Sequence, residues 1–335
     1  MNNEIAMLNP EQLKDKHFIV IGRAGMDFYA DPPGAKLETA QQFSCCVGGS
    51  SANICVALNK LGARSALVTC VSDDAVGRFC RNQLELYGVD HSHVRAVAGE
   101  YRNSLAVVES VLQDTQSVIY RNLAADFQMS VADVEAVDYQ RYSALITTGT
   151  VLAAEPSRTA TFRAFELARE AGLPLIFDVD YRPYSWVSAK DAADTYSRAA
   201  ALCDVIVGND VEFGFMAGDY ADGLDKAREL AASGSALVIY KMGEAGAITL
   251  TGDTELRTGI YRTDALKPTG AGDSFMGGLV ASLADGCALE DAVLRGSACA
   301  AMVVARVGCA PAMPTLTELN DFLATHAGPE QPLQD

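Results

Sequence analysis

Past residue 144 the chain settles into one pattern: a short run of apolar residues, then a longer stretch with helical spacing. Residues 144–148, 173–179, 204–208 and 236–241 read as strands. Residues 157–171 and 189–202 read as helices, and shorter helices fill 209–232. The N-terminal part does the same, with strands at 17–22 and 66–71 and a helix at 75–87. This alternation predicts an α/β fold, in which a mostly parallel central sheet is covered by helices on both faces. Residues 246–250 read as a further strand. Helices at 273–284, 289–306 and 316–325 close the chain, and the polar residues 327–335 read as frayed.

Two segments break the alternation. Residues 28–47 and 93–122 contain short strand-like runs at 42–47, 104–111 and 117–121, separated by turn residues, with no helix between them. They read as a small discontinuous β-sheet lid. Residues 1–27, 48–92 and 123–335 then form the large α/β domain.

Composition narrows the function. The net charge of −17 over 335 residues opposes binding to nucleic acid and to anionic membranes. Nearly half the residues are apolar and 21% are charged, enough for a large core. The nine cysteines show no metal-ligand spacing and read as buried thiols in a reducing cytoplasm. Residues 1–16 lack a signal-peptide pattern, and no apolar run reaches the length of a membrane span. His91 and His93 lack a third ligand nearby.

The chemistry concentrates in Lys267-Pro268-Thr269-Gly270-Ala271-Gly272-Asp273-Ser274-Phe275. Glycines one residue apart allow a tight turn, and an apolar helix-compatible run follows. Free amides at a helix start make an anion site. Asp273 stands where it can take a proton from an attacking hydroxyl. Together these suit phosphoryl transfer without a Walker motif; an ordinary capped helix after a glycine turn is the plain alternative. Gly48-Gly49-Ser50-Ser51-Ala52-Asn53 opens a second helix, with Gly62 as its stop; a Ser-capped structural helix is the alternative there.

These two segments, with Val71-Ser72-Asp73-Asp74-Ala75-Val76-Gly77-Arg78-Phe79, resemble the PfkB (ribokinase-like) family of carbohydrate kinases, over roughly residues 18–323. Gly22-Arg23-Ala24-Gly25-Met26-Asp27-Phe28-Tyr29, Val118–Asn122 and Phe177-Asp178-Val179-Asp180-Tyr181-Arg182-Pro183-Tyr184-Ser185-Trp186 look like the branch that phosphorylates 5-dehydro-2-deoxygluconate in inositol breakdown; 2-keto-3-deoxygluconate kinases are similar around Arg182.

The resemblance implies ATP and Mg2+ as cofactors and a primary hydroxyl of a small sugar acid, O6 of 5-dehydro-2-deoxy-D-gluconate, as acceptor. Asp273 would be the base, with the amides of Gly270, Ala271 and Gly272 around the transferring phosphoryl group. Asp27, Gly49 and Asn53 match sugar-binding positions. Arg121 and Arg182 suit a substrate carboxylate; pairing with Asp126, Asp178 or Asp180 is their structural alternative. Lys241, Gly243 and Gly246 form a turn suited to nucleotide phosphates, or a plain hairpin turn. Asn209 and Glu212 match an Asn-x-x-Glu motif that holds the magnesium–phosphate assembly indirectly; helix capping is the alternative. Gly308 and residues 300–304 would border the adenine. The lid would cover the sugar and join two copies as a homodimer.

One departure stands out. Relatives often carry Asp-Thr before Gly-Ala-Gly-Asp, and in some that Asp helps bind an activating monovalent cation. Here Lys267-Pro268 fills those places, so weak or absent potassium activation is expected by that route. Other readings are another sugar kinase of the family, a non-enzymatic sugar-binding regulator, and a dinucleotide-dependent oxidoreductase. Gly22-Arg23-Ala24-Gly25 lacks the full fingerprint the last requires.

Overall fold

The computed structural model describes residues 10–330 apart from Ala236 and Asp253. Residues 1–9, the expected strand start at 236 and the end of the frayed tail at 331–335 lie outside the described residues. The strands are β1 (His17–Ile21), β2 (Gly25–Asp31), β3 (Gln42–Gly48), β4 (Arg64–Ser72), β5 (Val94–Val97), β6 (Leu105–Val108), β7 (Ser117–Tyr120), β8 (Ala144–Thr148), β9 (Leu175–Asp178), β10 (Val205–Asn209), β11 (Leu237–Lys241), β12 (Ala247–Thr251) and β13 (Thr254–Thr258).

Among the described residues these form a nine-stranded sheet in the order β13-β12-β11-β10-β9-β8-β1-β4-β5. Every neighbouring pair from β11 to β5 is parallel, and β12 and β13 add an antiparallel edge. The central strands are continuous apolar runs because both faces are covered. In β1, Phe18 and Val20 enter one core while Ile19 and Ile21 enter the other, on the opposite face of the sheet. No helix of the described residues is long and apolar enough to cross a membrane.

A separate four-stranded sheet has the order β3-β2-β6-β7. It differs from the expected lid in two places. Val94–Val97 pairs in parallel with Thr69–Ser72, so β5 belongs to the large sheet rather than to segment 93–122. Gly25, Met26 and Asp27 already pair with Gly48, Val47 and Cys46, so the small sheet starts before residue 28 and extends through Gly48. In both places the ladder continues past the turn residues that suggest a boundary in the sequence.

Three helices on one side position the site. The Ala271–Ala284 helix is buried from Ser274 onward and lies between the Ser50–Lys60 and Leu289–Val304 helices. The approach to the first is close: a side-chain carbon built on Gly277 would lie 2.4 Å from Cβ of Ala57. This contact sets the spacing of two helices whose first turns carry Asn53 and Asp273. Gly277→Leu should therefore force the pair apart and cost about 1–3 kcal/mol of stability, the usual penalty of overpacking. Chemical denaturation checks this; an unchanged midpoint would mean that the contact is slack.

Candidate active site

The strand ends and the three helices surround a cavity of about 850 Å³. Such a volume lies in the range of small-molecule sites. Its floor lies at the carboxyl ends of the parallel strands, where Asp178 ends β9, Asn209 ends β10 and Lys241 ends β11. The small sheet roofs one end through Ala106, Val108 and Ile119.

Gly270 precedes the Ala271–Ala284 helix with φ of 85°, a left-handed conformation that favours glycine. No side chain caps the helix, so its first amides face the cavity without an internal acceptor from a side chain. The Ser50–Lys60 helix starts similarly, after Gly49 with φ of 97°. The serines are not caps: Ser51 Oγ donates to the Ile21 carbonyl and Ser50 Oγ to Asp180. Gly62, with φ of 89°, follows that helix as expected.

Asp273 lines the cavity, and its Oδ2 accepts a hydrogen bond of 2.8 Å from Asn53 Nδ2. Burial, helped by the negative charge of Asp180, pushes its carboxyl up to about 7; Asn53, Arg182 and Lys241 oppose the rise. A carboxylate with that affinity is suited to take a proton near neutral pH. Lys241 stands close to the amide turn, since a carbon built on Gly272 would lie 3.4 Å from its Nζ.

At the roofed end, Asp27 and Asn53 each hold a buried oxygen, Oδ1 in both cases, without a hydrogen-bond partner. Buried acceptors left unmatched are costly, so they mark places where a ligand donates. Burial raises the Asp27 carboxyl above its ordinary value, and Arg23, with Nη2 3.7 Å from Oδ1, opposes this.

The two candidate arginines both line the cavity and both are paired. Arg121 is buried and committed: Nε and Nη2 donate to Asp126, Nη1 donates to the Thr150 carbonyl, and its carbon lies 4.1 Å from the Phe127 ring centre. Arg182 is more open, with its side chain 43% exposed. Its Nη2 lies 2.6 Å from Asp180 and its Nη1 donates to the Tyr181 carbonyl.

Asn209 and Glu212 cap a helix reciprocally. Asn209 N donates to Glu212 Oε2 at 2.7 Å, and Glu212 N donates to Asn209 Oδ1 at 2.9 Å. Glu212 Oε1 also accepts from Tyr181 N, so the pair ties β10 to the segment carrying Arg182. The capping alternative is thus present, while both residues still line the cavity. Gly243 and Gly246 border the cavity in a turn between β11 and β12, closed by Met242 N donating to Gly246 O. Ala300, Ala301 and Val304 also line it, as does Cys309, the neighbour of Gly308.

Sequence reasoning does not anticipate the contribution of 258–263, which joins β13 to the Gly270 turn and supplies cavity wall. Its side chains carry no motif. Nor does it single out Arg23, whose Nη1 donates to Ser104 Oγ; the residue enters the sequence reading only as part of the Gly22–Tyr29 segment. The signal it offers is a charged residue directly after an apolar strand.

The family model for pfkB family carbohydrate kinase matches residues 15–316. A 5-dehydro-2-deoxygluconokinase from Photobacterium profundum is 39% identical, with 92% of this chain and 94% of that protein covered. Its namesake from Geobacillus kaustophilus is 35% identical, with 94% and 96% covered. Among solved structures, aminoimidazole riboside kinase from Salmonella enterica, complexed with aminoimidazole riboside and an ATP analog, is 27% identical with a TM-score of 0.78, covering 92% of this chain and 100% of that one. A fructokinase double mutant from Vibrio cholerae O395, in a form bound to fructose, ADP and potassium ion, is 26% identical with a TM-score of 0.80, covering 92% and 98%. This chain belongs to the pfkB family of carbohydrate kinases.

Proposed function

We propose that the protein transfers the γ-phosphoryl group of ATP to a primary hydroxyl of a sugar acid, with O6 of 5-dehydro-2-deoxy-D-gluconate as the acceptor. The observation that carries this is Asp273: a carboxyl group raised to about 7, facing the cavity at an uncapped helix start and held by Asn53. The acceptor is suggested by the names of the relatives and by Arg182, which can meet a carboxylate from within the cavity.

The roles follow from charge and reach. Asp273 draws the proton from the acceptor hydroxyl as its oxygen attacks phosphorus. The amides of Gly270, Ala271, Gly272 and Asp273 stabilise negative charge on the transferring group. Lys241, beside Gly272, adds a cation to the same place, and the Gly243–Gly246 turn borders the nucleotide phosphates. Ala300, Ala301 and Val304 give the adenine an apolar wall. Asp27 and Asn53 accept hydrogen bonds from sugar hydroxyls through their unmatched oxygens, and Gly49 lines the cavity near them, packed so closely on the Arg23 carbonyl that a side-chain carbon would lie 2.4 Å from it. Arg182 orients the acceptor's carboxylate, and Arg121 braces that wall through Asp126.

Mg2+ would screen the phosphates. Among the described residues no group of three acidic, histidine or cysteine side chains could hold a metal alone. That fits an ion bound mainly through phosphate and water, with Asn209 and Glu212 orienting its water shell.

The small sheet acts as the lid over the acceptor and, in this reading, pairs two copies. Its outer strands leave Phe43, Val118 and Tyr120 exposed. The enzyme works in the cytoplasm, where its free thiols stay reduced.

Asp273→Asn keeps the shape and removes the base, so kcat should fall by about 10²–10⁴ while thermal unfolding stays near native. A purified variant turning over at the native rate would refute the assignment. The active form of Asp273 is the carboxylate. With its carboxyl at about 7, kcat/KM should fall as pH drops through neutrality and level off above it. A profile flat down to the ordinary aspartate range would contradict this. In a coupled ADP-release assay, 5-dehydro-2-deoxygluconate should outperform ribose and fructose, with 2-keto-3-deoxygluconate as the nearest competitor. Arg182→Gln should erase much of that preference, since charge-assisted bonds contribute about 1.5–3 kcal/mol. Equal kcat/KM on ribose and the sugar acid in the native enzyme would end the sugar-acid reading.

A further inference from the structure

Lys267 is a fully buried lysine, with 0% of its surface exposed. Its Nζ donates to the Thr269 carbonyl at 2.6 Å and to the Val303 carbonyl at 3.3 Å. Both hydrogen-bond partners are neutral backbone oxygens; burial lowers the affinity of the amine for its proton, and the carboxylates of Asp273 and Asp27 oppose this without bonding to it. The location explains the tolerance. Val303 and Val304 end the Leu289–Val304 helix, where the negative end of the helix dipole favours a cation, and the Val303 carbonyl also accepts from Arg306 N. Thr269 immediately precedes Gly270, the left-handed residue that opens the anion-facing helix.

The backbone repeats the connection. The amides of Leu266 and Lys267 both donate to Val304 O, at 2.8 and 3.2 Å. There is no slack on the other side of the turn. A carbon built on Gly270 would lie 2.8 Å from Cys309 Sγ and 3.1 Å from Val303 Cγ1. The turn is therefore clamped between the end of one helix and the start of the next, with the ammonium as the charged member of the clamp. Backbone carbonyls that converge on a positive charge are also what a dehydrated potassium ion takes as ligands.

We propose that Lys267 is a positioning residue: a tethered internal cation that fixes the phosphate-facing turn and makes a dissolved monovalent cation unnecessary there. Lys267 borders the cavity but has no exposed surface, so its ammonium acts through the Thr269 carbonyl on the amides that follow Gly270. The catalytic consequence rests on the phosphoryl-transfer reading, whereas the effect on nucleotide binding does not.

The test compares native protein, Lys267→Met and Lys267→Ala by ATP calorimetry and by turnover. Native turnover should be unchanged when potassium chloride is replaced by tetramethylammonium chloride at equal ionic strength. Lys267→Met keeps the volume without the charge. It should bind ATP more weakly and lose on the order of a hundredfold in kcat, as expected for a displaced catalytic group. Lys267→Ala should recover part of its activity and ATP affinity when ammonium ion is added, and tetramethylammonium, too large for the gap, should give no rescue. A merely structural lysine would not produce that size-selective rescue. Potassium activation of the native enzyme by severalfold, native ATP affinity and kcat in Lys267→Met, or an Ala variant indifferent to ammonium ion would each overturn the proposal. Should neither variant fold, the potassium titration of the native enzyme decides. Should the native protein turn over no sugar at all, the kinase reading fails, and the ATP affinities of the native and Met proteins still decide this one.

Discussion

The hydrogen bond between Asn53 and Asp273 joins two helix starts that are 220 residues apart in the chain. Most of the site is arranged around that junction. It can form only because the Ser50–Lys60 and Ala271–Ala284 helices approach closely, and they approach closely because residue 277 has no side chain. Their first turns then converge on one cavity, which Asn53 and Asp273 both line. A small residue in the apolar body of a helix thus sets the separation of polar groups at its mouth. Packing and chemistry are one constraint here, since protein interiors adjust little to added volume.

Negative charge is concentrated at the same place. Asp178, Asp180, Glu212 and Asp273 all line the cavity. Burial raises Asp178, Glu212 and Asp273 above their ordinary values, and Asp180 pushes each of the three further. Lys241 opposes the rise in all three, and Arg182 opposes it in Glu212 and Asp273. The basicity of Asp273 is therefore a property of the group. A carboxylate alone at a helix start would be stabilised in its charged form and would be a poor base at neutral pH. Burial reverses that tendency, the charge of Asp180 adds to the reversal, and Asn53, Arg182 and Lys241 keep it moderate.

Much of this is legible in the sequence because the decisive features are local. Alternating apolar runs and helical stretches point to the parallel sheet, and the rule that ligands bind at strand ends brings Arg182, Asn209 and Lys241 to one side. Gly270 can be read because a left-handed residue before a helix leaves a glycine in the sequence. What stays hidden depends on partners that leave no such trace. β2 escapes notice because it begins within the glycine-containing segment Gly22–Tyr29, which shows no clean strand alternation at its start. β13, Thr-Glu-Leu-Arg-Thr, is an edge strand exposed at its start and lacks clean alternation. The surroundings of Lys267 are backbone carbonyls, which every residue has, so its burial cannot be read from neighbouring letters. The arginines illustrate an intermediate case. Asp126 and Asp180 are visible as candidate partners, but only coordinates distinguish a guanidinium fully occupied by its partner from one that is half open to the cavity.

The last point bears on how a chain with a net charge of −17 handles anionic ligands. At physiological ionic strength, charges more than about 8 Å apart through solvent are largely screened, so the acidic exterior opposes approach only weakly once a ligand reaches the cavity mouth. Inside, the surrounding protein lowers the effective dielectric constant and each charge counts for more. There the cations are placed singly: Lys241 beside the amide turn, Arg182 opposite the acidic strand end, Arg23 next to Asp27, and Lys267 behind the turn. Arg182 is held by Asp180, so a ligand carboxylate of the kind proposed would compete with an existing ion pair instead of meeting a bare cation. In the proposed reading such competition would weaken binding but sharpen discrimination, because an acceptor without a carboxylate would gain nothing from the arginine, and one with a misplaced carboxylate would gain less than the ion pair it disturbs.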